Sequence, residues 1–501
     1  MRFFYYNYKK IKHTTIRWKI KISNNLSSNV NSLKKKLKQN PDIVEQNGVF
    51  NNVKYCIFYV QNFIDTARLA DEVIKPLHKK KVKNPTIDLI IKKVILVGGS
   101  EELTKMEDCE KSVLEGHAVI FFDGMESAIK CPLTKLDERA ISEPPTSAVI
   151  NGPREGFVEN IKVNTSLIRK RLPTTALKIE QMSIGVYTKT KVNIMYLDDI
   201  ADKNIVKRIK DKIKEIKIDG VIDSHYLVNY LEENKNTIFK QVGKAEKPDI
   251  IVAKMLEGRV AIVVDGSPLV LTVPFMLLED LQNSDDYYQG SFRISFIRMI
   301  RFFGVTISMI LPGMYVAVQL YHYKVVPIKF LITLMNSIQG LPFPPFVEML
   351  FVIVLFEILY EASLRMPKYL GIALGIVGAL VLGDTAVKAG LISPPAVMIV
   401  ALSGISFYTI PDESAQLSLL RIMFTLVGGT MGLYGITITA MLLICYMASF
   451  NSYGTPYLAP YGPYIKDDLA DGIMKKDIIG RDTRPLSISS QKKKRIKNNG
   501  E

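Results

Sequence analysis

The chain has 501 residues, 48% hydrophobic and 23% charged, with 65 Lys or Arg against 49 Asp or Glu for a formal net charge of +16. Its four cysteines (56, 109, 131 and 445) show no CxxC spacing and its five histidines are scattered singly, so neither a metal site nor a cofactor is expected. GxxxxGK[ST], HExxH and GxSxG are absent, which removes the common hydrolytic signatures and points to a non-enzymatic protein.

Residues 1–41 carry eleven Lys or Arg and no acid, and residues 1–40 read as a basic arm too polar to fold alone. The first apolar residues, MRFFYYNY, meet lysines almost at once, so no secretory signal is expected and the soluble half is expected to stay cytoplasmic. An α/β alternation follows over 41–142, with strands at Val53–Val60 and Ala118–Phe122 and helices at Asp65–Leu77 and Glu101–Leu114. A second α/β subdomain is expected over 143–290. It opens with a short strand at Ala148–Ile150 and the turn Gly152, Pro153, Arg154, Glu155, Gly156, and continues as a helix over Phe157–Leu172. At a helix start that GPREG turn could bind an anion through free N–H groups and the helix dipole, or be a structural turn with an Arg154–Glu155 ion pair. Strands are expected at Val192–Leu197 and Val260–Val264, the latter leading through Asp265-Gly266 into a hairpin.

From Phe302 onward charge-free runs dominate: Phe302–Tyr323 has 22 residues, Ala389–Pro411 has 23 and Ile422–Ile465 has 44. Since about 20 apolar residues cross the hydrocarbon core, 291–450 reads as a multi-helix membrane domain and 451–501 as a basic tail. Beside membrane spans such basic ends suit anionic lipid better than nucleic acid. Spans are expected near 302–323, 345–361, 369–387, 394–411 and 422–449. Arg298, Arg301, Arg365 and Lys368 place the start inside. Five crossings would strand the basic tail outside. Either the GGTMGLYG region within 422–449 bends into a hairpin, or 325–343 enters without crossing.

Four acids fall in or beside these runs: Glu348, Glu357, Glu361 and Asp384. Glu357, Glu361 and Arg365 share one helix stripe, which is either an ion-paired helix end or a place where Glu357 or Glu348 lines a cation path. Glu348 lies about half a turn away, so both face one lumen only if the helix is irregular after Pro342, Pro344 and Pro345. Asp384 is either a helix terminus or an ion ligand. Gly371, Gly375 and Gly378 form a small-residue face for close helix packing.

EPPTSAVINGPREGFVENIKVNTSLIRKRL from Glu143, EKPDIIVAKMLEGRVAIVVDGSPLVLTVP from Glu246, DDYYQGSF from Asp285, LPFPPFVEMLFVIVLFEILYEASLRMPKYLG from Leu341, VGALVLGDTAVKAGLISP from Val377 and GTPYLAPYGP from Gly454 stand in one order along the chain. Together these segments resemble the A subunit of the nutrient-responsive spore germination receptors, the GerA family of endospore-forming bacteria. Ser147, Asn151 and Asp384-Thr385 depart from that family's usual residues. The resemblance implies a multi-pass subunit of the spore inner membrane with its N-terminal region in the cytoplasm. It implies partnership with a transporter-like B subunit that receives the nutrient and a lipoprotein C subunit. It also implies a homo-oligomer around a pore whose opening begins ion release.

Overall fold

The computed structural model describes residues 21–38, 40–83, 85–135, 151–365, 381–477 and 481–495. They fall into two compact units: residues 1–141 with 158–182 and 191–195, and residues 142–157, 183–190 and 196–501.

The first unit begins with helix α1 (Leu26–Lys36), inside the stretch expected to lack fixed structure. Leu26, Val30, Leu33 and Leu37 recur at helical spacing within the basic run, and three of the four are buried. That apolar stripe docks what net charge alone would leave in water. The Asn25 side chain caps the helix, accepting the Ser28 N–H at 3.1 Å. Strands β1 (Ile43–Phe50) and β2 (Val53–Val60) pair antiparallel around Asn51-Asn52, whose φ angles of 47° and 62° are those of a two-residue hairpin turn. The expected helix over 101–114 divides into a short strand, β3 (Glu101–Leu103), and helix α2 (Met106–Leu114). With β4 (Ala118–Phe122) and β5 (Ala128–Cys131) they form an antiparallel sheet in the order β1-β2-β4-β5-β3. Every residue of β4 is buried because both sheet faces are covered. Ile120 and Phe122 meet Leu69, Val73 and Ile90 on one side, while Val119 and Phe121 meet Leu33, Cys109 and Val113 on the other.

Helix α3 (Ile161–Arg171) also belongs to this unit. Arg169 is fully buried and grips Asp42, with Nη2 to Oδ1 at 3.0 Å. The Asn40 amide donates to the Leu177 carbonyl at 2.8 Å and accepts the Ile179 N–H at 3.0 Å, tying the end of α1 to strand β6 (Leu177–Ile184).

After β6 come β7 (Thr190–Leu197) and helix α4 (Lys203–Lys214), then β8 (Gly243–Ala245), α5 (Pro248–Leu256), β9 (Val260–Val264) and β10 (Val270–Val273). The hairpin expected at Asp265-Gly266 forms, although the loop is wider than a two-residue turn; Gly266 alone takes the positive φ, at 87°. β9, β10 and β8 pair in the pattern of β4, β5 and β3. The repeat is also written in residues: Leu114-Glu115-Gly116 and Asp123-Gly124 bracket AVIFF, as Leu256-Glu257-Gly258 and Asp265-Gly266 bracket VAIVV. Gly116 and Gly258 take φ of 87° and 109° where α2 and α5 end, a conformation that side chains resist.

The second unit continues as helices α6 (Ser291–Tyr321), α7 (Ile328–Ile338), α8 (Pro345–Arg365), α9 (Pro394–Phe407) and α10 (Ser414–Ala448). Two stretches, Ser291–Tyr321 and Pro411–Ala448, are long and apolar enough to cross a membrane. α10 is not one rod. Gly432, with φ 65° and ψ −156°, breaks it. A straight 35-residue helix would be about 52 Å long, yet Lys240 pairs with Glu413 just before its start at 2.5 Å, and the Phe239 ring lies 6.2 Å from that of Phe450 just beyond its end. The chain therefore reverses at Gly432, as the hairpin alternative expected. A Cβ added at Gly435 would lie 2.7 Å from Val427, eight residues earlier, which only a folded-back helix allows.

The tail beyond 451 is held over much of its length. Ile488 is buried with Met276 and Ala459, and Arg484 donates to the Leu256 carbonyl at 2.7 Å.

Candidate functional site

The helical part of the second unit buries polar groups at two levels. At the foot of α6, Asp286 is fully buried and takes Arg298 Nε at 2.7 Å and Arg301 Nη1 at 3.0 Å. Asp471 accepts from Arg298 Nη1 at 2.9 Å, from Arg481 Nη1 at 2.5 Å and from the Tyr287 hydroxyl at 2.9 Å. Lys475 donates to the Asp286 carbonyl. Burial, with Asp471 beside it, pushes the Tyr287 phenol upward, so it stays a donor. Arg298 and Arg301, expected as markers of membrane orientation, also knot the DDYYQGSF segment to the tail. Next to this knot Lys240 spans Asp280 and Glu413, each at 2.5 Å. Burial, then the Glu413 charge, raises the Asp280 carboxyl well above its ordinary range despite Lys240.

Further along the helices, Glu357 of α8 accepts from Arg421 and Ser418 of α10. The Arg421 side chain is 2% exposed and that of Glu357 25%. Arg421 also donates to Ser403 Oγ at 3.3 Å and stacks over the Phe407 ring at 4.5 Å, while Ser403 Oγ donates to the Ser308 carbonyl at 2.7 Å. One arginine thus joins α6, α8, α9 and α10. Arg421 borders the 44-residue charge-free run and so escaped notice as part of a span; the signal available was its place three residues after Ser418 and four before Thr425, on one helix face.

The four acids do not converge. Glu348 is buried, its Oε1 accepting the Ser393 N–H at 2.5 Å at the start of α9. Glu361 pairs with exposed Arg365, and Asp384 with exposed Lys388 at 2.7 Å, each four residues along. Gly371, Gly375 and Gly378 lie outside the described residues, as does the expected strand at Ala148–Ile150. The close glycine contact that is described joins α6 to α10. A Cβ on Gly313 would sit 2.3 Å from the Phe424 carbonyl oxygen, and one on Gly428 2.3 Å from that of Gly313.

GPREG does not open a helix. Gly152 to Gly156 run as loop, Gly152 with φ 116°, and α3 starts only at Ile161, where Asn160 caps the Lys162 N–H at 2.9 Å. An anion held by the dipole of α3 therefore finds no GPREG N–H at the helix start.

The sequence profile of the Bacillus/Clostridium GerA spore germination protein matches residues 31–487. The chain belongs to the GerA family. Among GerA relatives, spore germination protein KA of Bacillus subtilis (strain 168) is 32% identical over 481 residues, covering 95% of this chain and 88% of that one. Spore germination protein GerQA of Bacillus cereus is 33% identical over 486 residues, covering 96% of each. A Bacillus subtilis relative described as the uncharacterized membrane protein YfkQ is 34% identical over 464 residues, covering 90% of this chain and 88% of its own. The crystal structure of the N-terminal domain of the A subunit of the Bacillus megaterium spore germinant receptor GerK3 aligns with a TM-score of 0.41 at 26% identity, over 51% of this chain and 97% of that domain. The GerA match spans the α/β sheets, the Asp286 knot and the Arg421 pair alike.

Proposed function

We propose that this chain is the A subunit of a nutrient-responsive germination receptor, a multi-pass protein of the spore inner membrane that acts, as a homo-oligomer, as an ion channel subunit. Its partners are a transporter-like B subunit and a lipoprotein C subunit, and its role is non-enzymatic. The observation that carries the reading is the apolar helix surface left uncovered. In the most apolar windows of Ser291–Tyr321 and Pro411–Ala448 only 22% and 17% of residues are buried. Phe292, Phe303, Tyr434, Met441 and Leu442 stand in the open. Apolar faces this wide require lipid or further copies of the chain. Glu348, Glu357, Glu361 and Asp384 are the acids through which such an assembly would influence ions, with Gly371, Gly375 and Gly378 as a packing face. The reversal at Gly432 supports an even number of crossings with the tail on the cytoplasmic side.

A second reading, a membrane-anchored scaffold without its own pore, is favoured by the ion pairs of Glu361 and Asp384 within their own helices. Reconstitution with B and C subunits in liposomes separates the two. The channel reading expects monovalent cation flux on addition of nutrient, and sealed liposomes with intact assembly would leave the scaffold.

A further inference from the structure

Glu348 is 1% exposed, and no basic side chain pairs with it among the described residues. It is embedded where Val316, Met349, Val352, Ile392, Ala396 and Val400 form an apolar cluster. Its Oε1 accepts the Ser393 N–H at 2.5 Å, and Ser393 is the fully buried N-cap of the fourteen-residue α9, its own hydroxyl accepting the Ala396 N–H at 3.3 Å. A helix N-terminus carries roughly half a positive charge, so this contact can offset only part of a full negative charge. A buried carboxylate without a full counter-charge is strongly disfavoured.

The groups facing it come from α6. The Tyr315 hydroxyl lies beside Ser393, Gln319 and Glu348. Tyr315 Oη and both amide atoms of Gln319 are buried, and Tyr315 Oη has only loose contacts with Ser393 and Gln319, none of them in good hydrogen-bond geometry. Tyr315 and Gln319 stand one turn apart on α6, on the side that packs against α8 and α9. One carboxyl group, two neutral oxygens in loose contact and one serine hydroxyl thus line a site with no basic side chain among the described residues.

We propose that Glu348, Tyr315, Gln319 and Ser393 form a binding site for a monovalent alkali cation, sealed inside the subunit rather than facing a lumen. One carboxylate sets the valence, since a divalent ion ordinarily gathers two or more carboxylates or keeps its waters. The proposal stands whether or not the assembly conducts, because occupancy of the site is separate from flux.

The test uses the full chain in lipid nanodiscs at fixed pH and ionic strength. Dicyclohexylcarbodiimide, which modifies buried protonated carboxyls, is applied in choline chloride and in potassium or sodium chloride, and the adduct is located by peptide mass spectrometry. Glu348 is expected to be modified in choline. Modification is expected to fall about tenfold when the alkali ion stands roughly tenfold above its dissociation constant, because only the unoccupied fraction reacts. Tyr315→Phe and Gln319→Leu should leave the choline reaction intact and shift half-protection to higher salt. Glu348→Gln removes the adduct and confirms its position. Equal modification in choline and in both alkali salts, no modification in any of them, or protection unmoved in both α6 variants would each overturn the site.

Discussion

Removing one member of the Glu357–Arg421 pair tests how the helical region is held. Arg421 is the more committed partner, since its side chain is 2% exposed against 25% for Glu357. Breaking a buried ion pair by deleting one side costs about 3–5 kcal/mol, because the remaining charge is left in a poor solvent. Glu357→Gln keeps the volume and strands the arginine, so a loss near the lower bound, about 3 kcal/mol, is expected. Arg421→Met leaves a carboxylate with partial access to water and should cost less, about 2 kcal/mol. The double variant removes both charges and keeps the Phe407 face filled. Its cost should fall short of the sum of the two by roughly 2 kcal/mol, a coupling within the range for residues sharing a network. The assay is a double-mutant cycle on the full chain in bilayer discs, with unfolding driven by steric trapping. Single-variant losses below about 0.5 kcal/mol with full additivity would show that Arg421 holds nothing together. On the proposed channel reading, a change in ion release by Glu357→Gln that runs in parallel with its loss of stability would assign the residue to this pair rather than to a lumen lining.

Gly313→Leu is expected to cost about 3 kcal/mol or more, because its side chain meets the Phe424 carbonyl rather than a movable side chain; wild-type stability in the same assay would refute the α6–α10 contact. The Glu279 carboxyl is raised by burial, but Arg259 and Lys254 outweigh this and hold it below its ordinary value. A depressed carboxyl contributes stability above its unfolded value of about 4.3, and that contribution is lost as pH falls through the folded value. Glu279→Gln should therefore flatten the acid limb of the stability curve below about pH 4, and an unchanged limb would exclude the residue. Burial pushes the thiols of Cys56, Cys109 and Cys131 up to about 12, while Cys445 is exposed. At pH about 8 a lipid-permeant maleimide should label Cys445 alone until denaturant is added, and mass mapping of any other adduct on native protein would refute the buried assignments.

The strands Val53–Val60 and Ala118–Phe122 are legible to the residue because the apolar runs Tyr55–Val60 and Ala118–Phe122 are buried on both faces and end at turn residues. β1 is less so, since most of IVEQNGVF is only half-buried or exposed and its pattern carries little apolar contrast; the Asn51-Asn52 turn was its clearest sign. α1 hid beneath charge, four apolar residues at helical spacing among lysines. The duplicated LEG and DG brackets were readable as a repeat, and only strand pairing made them conspicuous. Partners at the site were harder. Glu361–Arg365 and Asp384–Lys388 are local and follow from spacing, whereas Glu357–Arg421 and Glu348–Ser393 join residues 64 and 45 positions apart, which one sequence cannot reveal.

The reversal at Gly432 is where local chemistry and overall topology constrain each other. The chain turns back on itself in the middle of α10, and the sequence supplies glycines at 428, 429, 432 and 435 around the turn. They divide the labour: Gly428 lets backbone meet backbone, Gly429 admits the Phe346 ring, and Gly432 takes the positive φ of 65°. The Tyr321 hydroxyl then donates to the Gly429 and Thr430 carbonyls at 2.9 and 3.1 Å, satisfying acceptors released where the helix breaks. Both arms return to the Phe239–Lys240 turn, so any change in the α/β region at Lys240, Asp280 or Phe275 is felt at once by both feet of the hairpin that carries Arg421. The hairpin therefore has its two ends held at one place, and its helix is broken between them at Gly432.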